Sequence, residues 1–189
     1  MNAPQEKVNH ALQNAEGWAS SIAEMVAALE CDYDRLEELR DELQARYDAL
    51  PDAEQGQNTT FEHYQAALFA DGDDDAKELH DLNDTATVDD TMMENAEAAR
   101  ERIQESPLSV EVRDGWRTPG ADKGAAEEFC ILLSTGGPAL RIMGELDEHA
   151  QPTRAWLEYQ DWGTPWTHHY VKDFADTLLT FCQQFYFGE

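Results

Sequence analysis

Ile22, Leu29, Leu36, Leu43 and Leu50 recur at every seventh position, and that spacing commits the first fifty residues to helix. Seven residues make close to two helical turns, so the five side chains form one stripe, a coiled-coil seam of about four heptads. Val26, Tyr33 and Tyr47 occupy most of the intervening seam positions, and Arg40 interrupts them. Pro51 ends the pattern, because it lacks a donor and disfavours helical geometry in the residue before it. Residues 52–60 are polar and aperiodic and read as a loop. A second helical region follows over 61–105, interrupted near 71–75 and 85–87, with Phe61, Tyr64, Leu68, Leu79, Leu82, Met92, Met93, Ala96, Ala99 and Ile103 as its apolar positions. The two regions can close as an antiparallel hairpin, or the seam can join two copies of the chain as a homodimer. The spacing alone fits both.

At Ser106-Pro107 the pattern changes from helix to strand. Leu108, Val110 and Val112 alternate with polar residues; 129–133 is a short apolar run; Ala139, Leu140 and Ile142 follow a Gly136-Gly137-Pro138 turn; Ala155, Leu157 and Tyr159 alternate again. Four short strands between Gly and Pro turns predict an antiparallel sheet. Phe174, Leu178, Phe181, Cys182 and Phe185 then take helical spacing over about 171–187, which predicts a helix covering one sheet face. The expected fold class is α+β: an acidic helical region over 1–105, hairpin or coiled coil, and a small antiparallel sheet domain over 106–189 covered by a C-terminal helix.

The charge says what such a chain can meet. There are 40 Asp and Glu against 13 Lys and Arg, a net charge of −27. Residues 1–105 hold 27 of the acids and seven of the cations, net −20, which leaves −7 for 106–189. A polyanion repels nucleic acid and membrane headgroups, and suits a protein built to grip nucleic acid. Adaptation to high salt and a disordered acidic tail are the competing explanations, and only four of the 13 cations are Lys, which fits the first. Uniform solvent adaptation, however, does not concentrate charge in one half. The carboxylates placed to stand in for phosphates are Glu30, Asp34, Glu37, Glu38, Asp41 and Glu42 on the first helix, then Asp73, Asp74 and Asp75.

Other chemistries find less support. Asp71-Gly72-Asp73-Asp74-Asp75 departs from a calcium loop, because Ala76 stands where the turn needs Gly and Leu82 where a bidentate Glu belongs. Ser134-Thr135-Gly136-Gly137-Pro138 lacks the Lys and spacing of a phosphate loop and reads as a hairpin turn. The adjacent His168 and His169 point to opposite sides of an extended segment, even with Asp173 near, so no metal is assigned. Trp156, Tyr159, Trp162, Trp166 and Tyr170 are expected in the core of the small domain. Cys31, Cys130 and Cys182, odd in number and widely spaced, suit small buried hydrophobes better than disulfides. No nucleophile triad or paired-carboxylate motif is present, so the chain reads as a non-enzyme without a cofactor. With no leader and no apolar run long enough to span a bilayer, it is expected to be a soluble protein of the cell interior.

Four stretches of the second half, S-P-L-S-V-E-V-R at 106–113, L-L-S-T-G-G-P-A-L-R-I at 132–142, L-E-Y-Q-D-W-G-T-P-W-T at 157–167 and Q-F-Y-F-G-E at 184–189, resemble a family of small proteins carried by phages, plasmids and other mobile elements of proteobacteria. The resemblance covers roughly 101–189, and some members of the family are anti-CRISPR proteins. It implies an anti-defence protein acting in the cytoplasm of a bacterial host, with no catalytic motif to carry over. Joined to the charge, it implies as partner a nucleic-acid-binding complex, first of all a type I CRISPR effector that loses target DNA to an acidic mimic, with no direct binding of nucleic acid. The alternative is a helical dimerisation or assembly module of a phage or halophilic bacterium, acidic for its solvent.

Overall fold

The computed structural model describes residues 9–51, 60–116, 118–120, 122 and 124–188. The chain is mixed α+β: six helices, a five-stranded antiparallel sheet and a two-stranded one among the described residues. It divides into two compact units, 27–99 and the remainder, with borders inside the first helix after Val26 and inside the fifth after Ala99. The sequence placed a single border at 105/106.

The first finding is a break in the heptad seam. Helix α1 spans His10–Leu29 and α2 spans Tyr33–Asp48, so Leu29 and Leu36 sit on different helices and no continuous coiled coil of four heptads exists. Asp32 starts the new helix by accepting from the Arg35 N–H, 3.0 Å, which satisfies one of the donors a helix start leaves open. The seam residues are then used separately. Ile22 is buried on α1, Leu36 and Leu43 are buried on α2, and Leu29 and Leu50 are half-buried at or beyond helix ends.

In the unit over 27–99, α2 packs with α3 (Phe61–Asp71) and α4 (Asp74–Thr85). Leu36, Leu39, Leu43, Ala76, Leu79 and Ala86 form the core, flanked by Cys31, Tyr33, Phe61, Leu68 and Leu82. The three leucines of α2 recur at three and four residues, one helix face, and each buried leucine contributes about 2 kcal/mol. Gly72, at φ 88, ends α3 in the left-handed conformation that glycine adopts freely. Asp73 then caps α4. The run Asp71–Asp75 is thus a helix–turn–helix joint. A hairpin absent from the sequence reading follows: β1 (Thr87–Val88) pairs with β2 (Thr91–Met92) around Asp89 and Asp90, both at positive φ as a two-residue hairpin turn requires.

In the other unit, after α5 (Ala96–Glu105), β3 (Ser109–Arg113), β4 (Glu128–Ser134), β5 (Ala139–Leu146), β6 (Pro152–Gln160) and β7 (Thr167–His169) lie in sequence order, every pair antiparallel. The fifth strand is additional to the four expected. Register places Phe129, Ile131, Leu140, Ile142 and Leu157 on one buried face. Helix α6 (Ala175–Cys182) packs on β6 and buries Leu178, Phe181 and Cys182; it is shorter at both ends than the periodicity suggests. Asn14 of α1 donates to Ser134 Oγ of β4, 3.0 Å.

The opposite sheet face corrects the expectation of an aromatic core for Trp156 and Trp166, whereas Tyr159 is half-buried on the face of Leu157, opposite Leu140. Trp156 and Glu158 flank the buried Leu157 on β6 and therefore point away from it. Trp156 Nε1 donates to Glu158, 3.1 Å, and the Arg141 guanidinium lies 4.1 Å above the Trp166 ring, a cation–π contact. Trp162 and Tyr170 are 78% and 82% exposed. Among the described residues, no helix is long and apolar enough to cross a membrane.

Candidate functional site

The carboxylates singled out above all fall in the helical unit, 27–99. By sequence this unit holds 22 Asp and Glu against four Lys and Arg, net −18 of the −27 for the whole chain. Glu30 is exposed in the turn between α1 and α2, and Asp34, Glu37, Glu38, Asp41 and Glu42 are exposed on α2. Asp34, Glu37, Glu38 and Asp41 line up with Asp48 at intervals of three, four and seven residues, on the side of α2 away from Leu36, Leu39 and Leu43. Glu42 flanks the row. From Asp34 to Asp48 the helix rises about 21 Å, so these six acids give one charge per about 4 Å, close to one per 3.4 Å along a single strand of B-DNA.

Asp74 is exposed at the start of α4, whereas Asp73 and Asp75 are half-buried and turned to α2. Arg46 holds both, at 2.7 Å from Asp73 and 3.2 Å from Asp75. Asp73 is therefore a structural carboxylate, capping α4 while pairing Arg46. The Arg46 hydrogen bond, aided by the Ala76 N–H, holds its carboxyl below the usual aspartate value.

The other cations of the unit are engaged similarly. Arg35 spans from α2 to α4, its Nε and Nη2 donating to the two oxygens of Glu78 at 3.1 and 2.9 Å. That bidentate bond depresses the Glu78 carboxyl. Arg40 reaches Asn83, 3.3 Å, and Lys77 donates to the Gly72 carbonyl, 2.8 Å. With its cations turned to helix joints, the unit leaves Asp34, Glu37 and Asp41 with no ion pair to a described residue. Burial raises the Cys31 thiol, and Tyr33, half-buried and donating to the Ala28 carbonyl, is pushed up to about 12.

A second acidic row, which the sequence reading passed over, runs along α4 as Asp74, Glu78, Asp81 and Asp84, all exposed. The intervals of four, three and three residues were its available signal. Asp89 and Asp90 add two exposed acids at the hairpin turn. Among the described residues no group of three His, Cys, Asp or Glu is arranged to hold a metal ion. In the sheet unit, His168 and His169 fall on opposite faces, opposite Glu158 and Leu157 respectively. Comparison with protein-family models, curated proteins and solved structures found no match to this chain. The mobile-element resemblance of residues 101–189 thus gains no family, relative or structural neighbour.

Proposed function

We propose that this chain is a non-enzymatic anti-defence protein whose helical unit enters the cationic channel of a nucleic-acid-binding complex in place of nucleic acid. The observation that carries this reading is the exposed row Asp34, Glu37, Glu38 and Asp41, spaced like strand phosphates and standing opposite a packed leucine face. Channels that hold nucleic acid do so with Lys and Arg against backbone charge. A helix offers carboxylates to them at fixed positions, so little ordering entropy is lost on binding. The sequence resemblance of 101–189 makes a type I CRISPR effector inside a bacterial host the first target to test. The rival assembly role for the heptad seam has less behind it, since packing within the unit already occupies Leu36 and Leu43.

The test is target-DNA binding by purified type I effector complexes, titrated with this protein over a range of salt. Inhibition that weakens with added salt or competing polyanion supports the reading. The variant D34N/E37Q/E38Q/D41N should keep its circular dichroism spectrum and lose about 2 kcal/mol of binding, roughly thirtyfold. Full inhibition by that folded variant rejects polyanion mimicry.

A further inference from the structure

We propose that β3 is a self-association edge, along which two copies of the chain join antiparallel to continue the five-stranded sheet across a two-fold axis at Val112. This rests on the sheet unit alone and is independent of the proposed function. Among the described residues the strand order leaves two edges, β3 and β7. β7 has three residues and offers little to pair with, whereas β3 has five. An unpaired strand edge presents a row of backbone donors and acceptors ready for a further strand.

The side chains of β3 mark it as open on its core side. Val110 and Val112 pair with Ile131 and Phe129 of β4, which are fully buried, yet the two valines are 39% and 38% exposed. Leu108, just before the strand, is 60% exposed, and Trp116, just beyond it, is fully exposed. Within the strand the apolar side chains left open are Val110 and Val112, and Arg113, Asp114 and Gly115 separate them from Trp116.

A second copy fits this edge by its own sequence. Antiparallel partners share a face, and a two-fold axis at Val112 places that residue against itself. Glu111 of each copy then faces Arg113 of the other, on the polar side of the sheet. Leu108 of one copy and Trp116 of the other, both just outside the strand, then lie toward the same end of the interface. The contact thus has a self-matched Val112 and two opposite-charge pairs, in which Arg113, already bonded to Glu128 of its own chain, bridges to Glu111 of the other copy, while Val110 stands opposite Asp114. The contact is small, which places it among weak interfaces. Each copy carries −27, so repulsion opposes association and salt relieves it. That sign is opposite to the salt dependence of polyanion mimicry, and the two readings therefore fail separately.

Sedimentation velocity at concentrations up to about 0.5 mM should show the 21.4 kDa chain shifting to twice that mass, more so at high salt. Glu111→Arg and Arg113→Glu should each weaken association at least about tenfold, because each places like charges opposite one another. An equimolar mixture of the two restores both opposite-charge pairs and should associate more strongly than either variant alone. Circular dichroism and tryptophan emission check that each variant is folded. A wild-type chain that stays monomeric at every concentration and salt overturns the proposal. So does association that survives both substitutions, or a mixture no stronger than its components.

Discussion

The guanidinium of Arg46 donates to the carboxylate of Asp73 across 2.7 Å, and the other oxygen of that carboxylate accepts from the Ala76 N–H at 3.1 Å. One side chain thus fixes the start of α4 and ties it to α2.

Asp73→Ala should lower the stability of the helical unit by about 1 kcal/mol from the lost cap. Asp73→Ser, which keeps a capping oxygen but removes the charge, should recover most of that loss. Urea denaturation followed by far-ultraviolet circular dichroism separates the two. Equal losses in both variants would assign the role of Asp73 to the ion pair instead of the cap.

The pH dependence has a definite sign. Asp73 and Glu78 are held below their ordinary values of 3.8 and 4.5 by Arg46 and Arg35 respectively. An acid whose folded pKa lies below its unfolded one stabilises the fold fully above the unfolded value, and that contribution is lost as pH falls through the folded value. The wild-type helical melt should therefore drop more steeply below about pH 4 than that of an Arg35→Gln/Arg46→Gln variant. Parallel curves for the two proteins would contradict these ties.

Gly144→Ala should destabilise the sheet unit by about 2 kcal/mol. A methyl at this β5 position would overlap the Phe129 ring and the Arg154 carbonyl, and Phe129 also packs on Phe187 with ring centroids 4.6 Å apart. All five tryptophans lie outside 27–99, so tryptophan emission during denaturation reads this unit directly. An unchanged midpoint would mean that β5 can shift to accept the methyl.

Salt should raise the melting temperature of the helical unit near neutral pH. Its net −18 makes self-repulsion the dominant long-range term, and about 0.5 M salt cuts the screening length to a few ångströms. Differential scanning calorimetry between low and high salt checks this. A fall in melting temperature would mean that the Arg35 and Arg46 pairs outweigh the repulsion.

The α+β class, the interruptions at 71–75 and 85–87 and four of the five strands were legible because they rest on periodicity and on turn residues. The seam misled because its spacing continues across a helix break: Leu29 and Leu36 keep a seven-residue interval although Glu30, Cys31 and Asp32 separate two helices. The signal was Asp32, a good capping residue three positions before the Arg35 N–H it satisfies. The hairpin at Asp89-Asp90 was hidden because its turn lacks the usual glycine, and the strands beside it have two residues each. Trp156 was misplaced because sheet alternation assigns faces only once register is known, and the buried neighbour Leu157 settles it. Within the acidic set, sequence separated exposed from structural carboxylates poorly. Asp73 and Asp34 look alike until Arg46 is seen to hold one and not the other.

Arg35 and Arg46 join α2 to α4, and this makes the two ways of losing negative charge unequal. Replacing an exposed acid of α2 such as Glu37 or Asp41 removes no side-chain hydrogen bond or ion pair among the described residues, whereas replacing an inward-turned acid such as Asp73 loosens a helix joint. Random substitution should therefore erode the outward row first, since folding does not defend it. If the row persists among descendants of this chain while neighbouring surface positions vary, the force retaining it acts from outside the molecule.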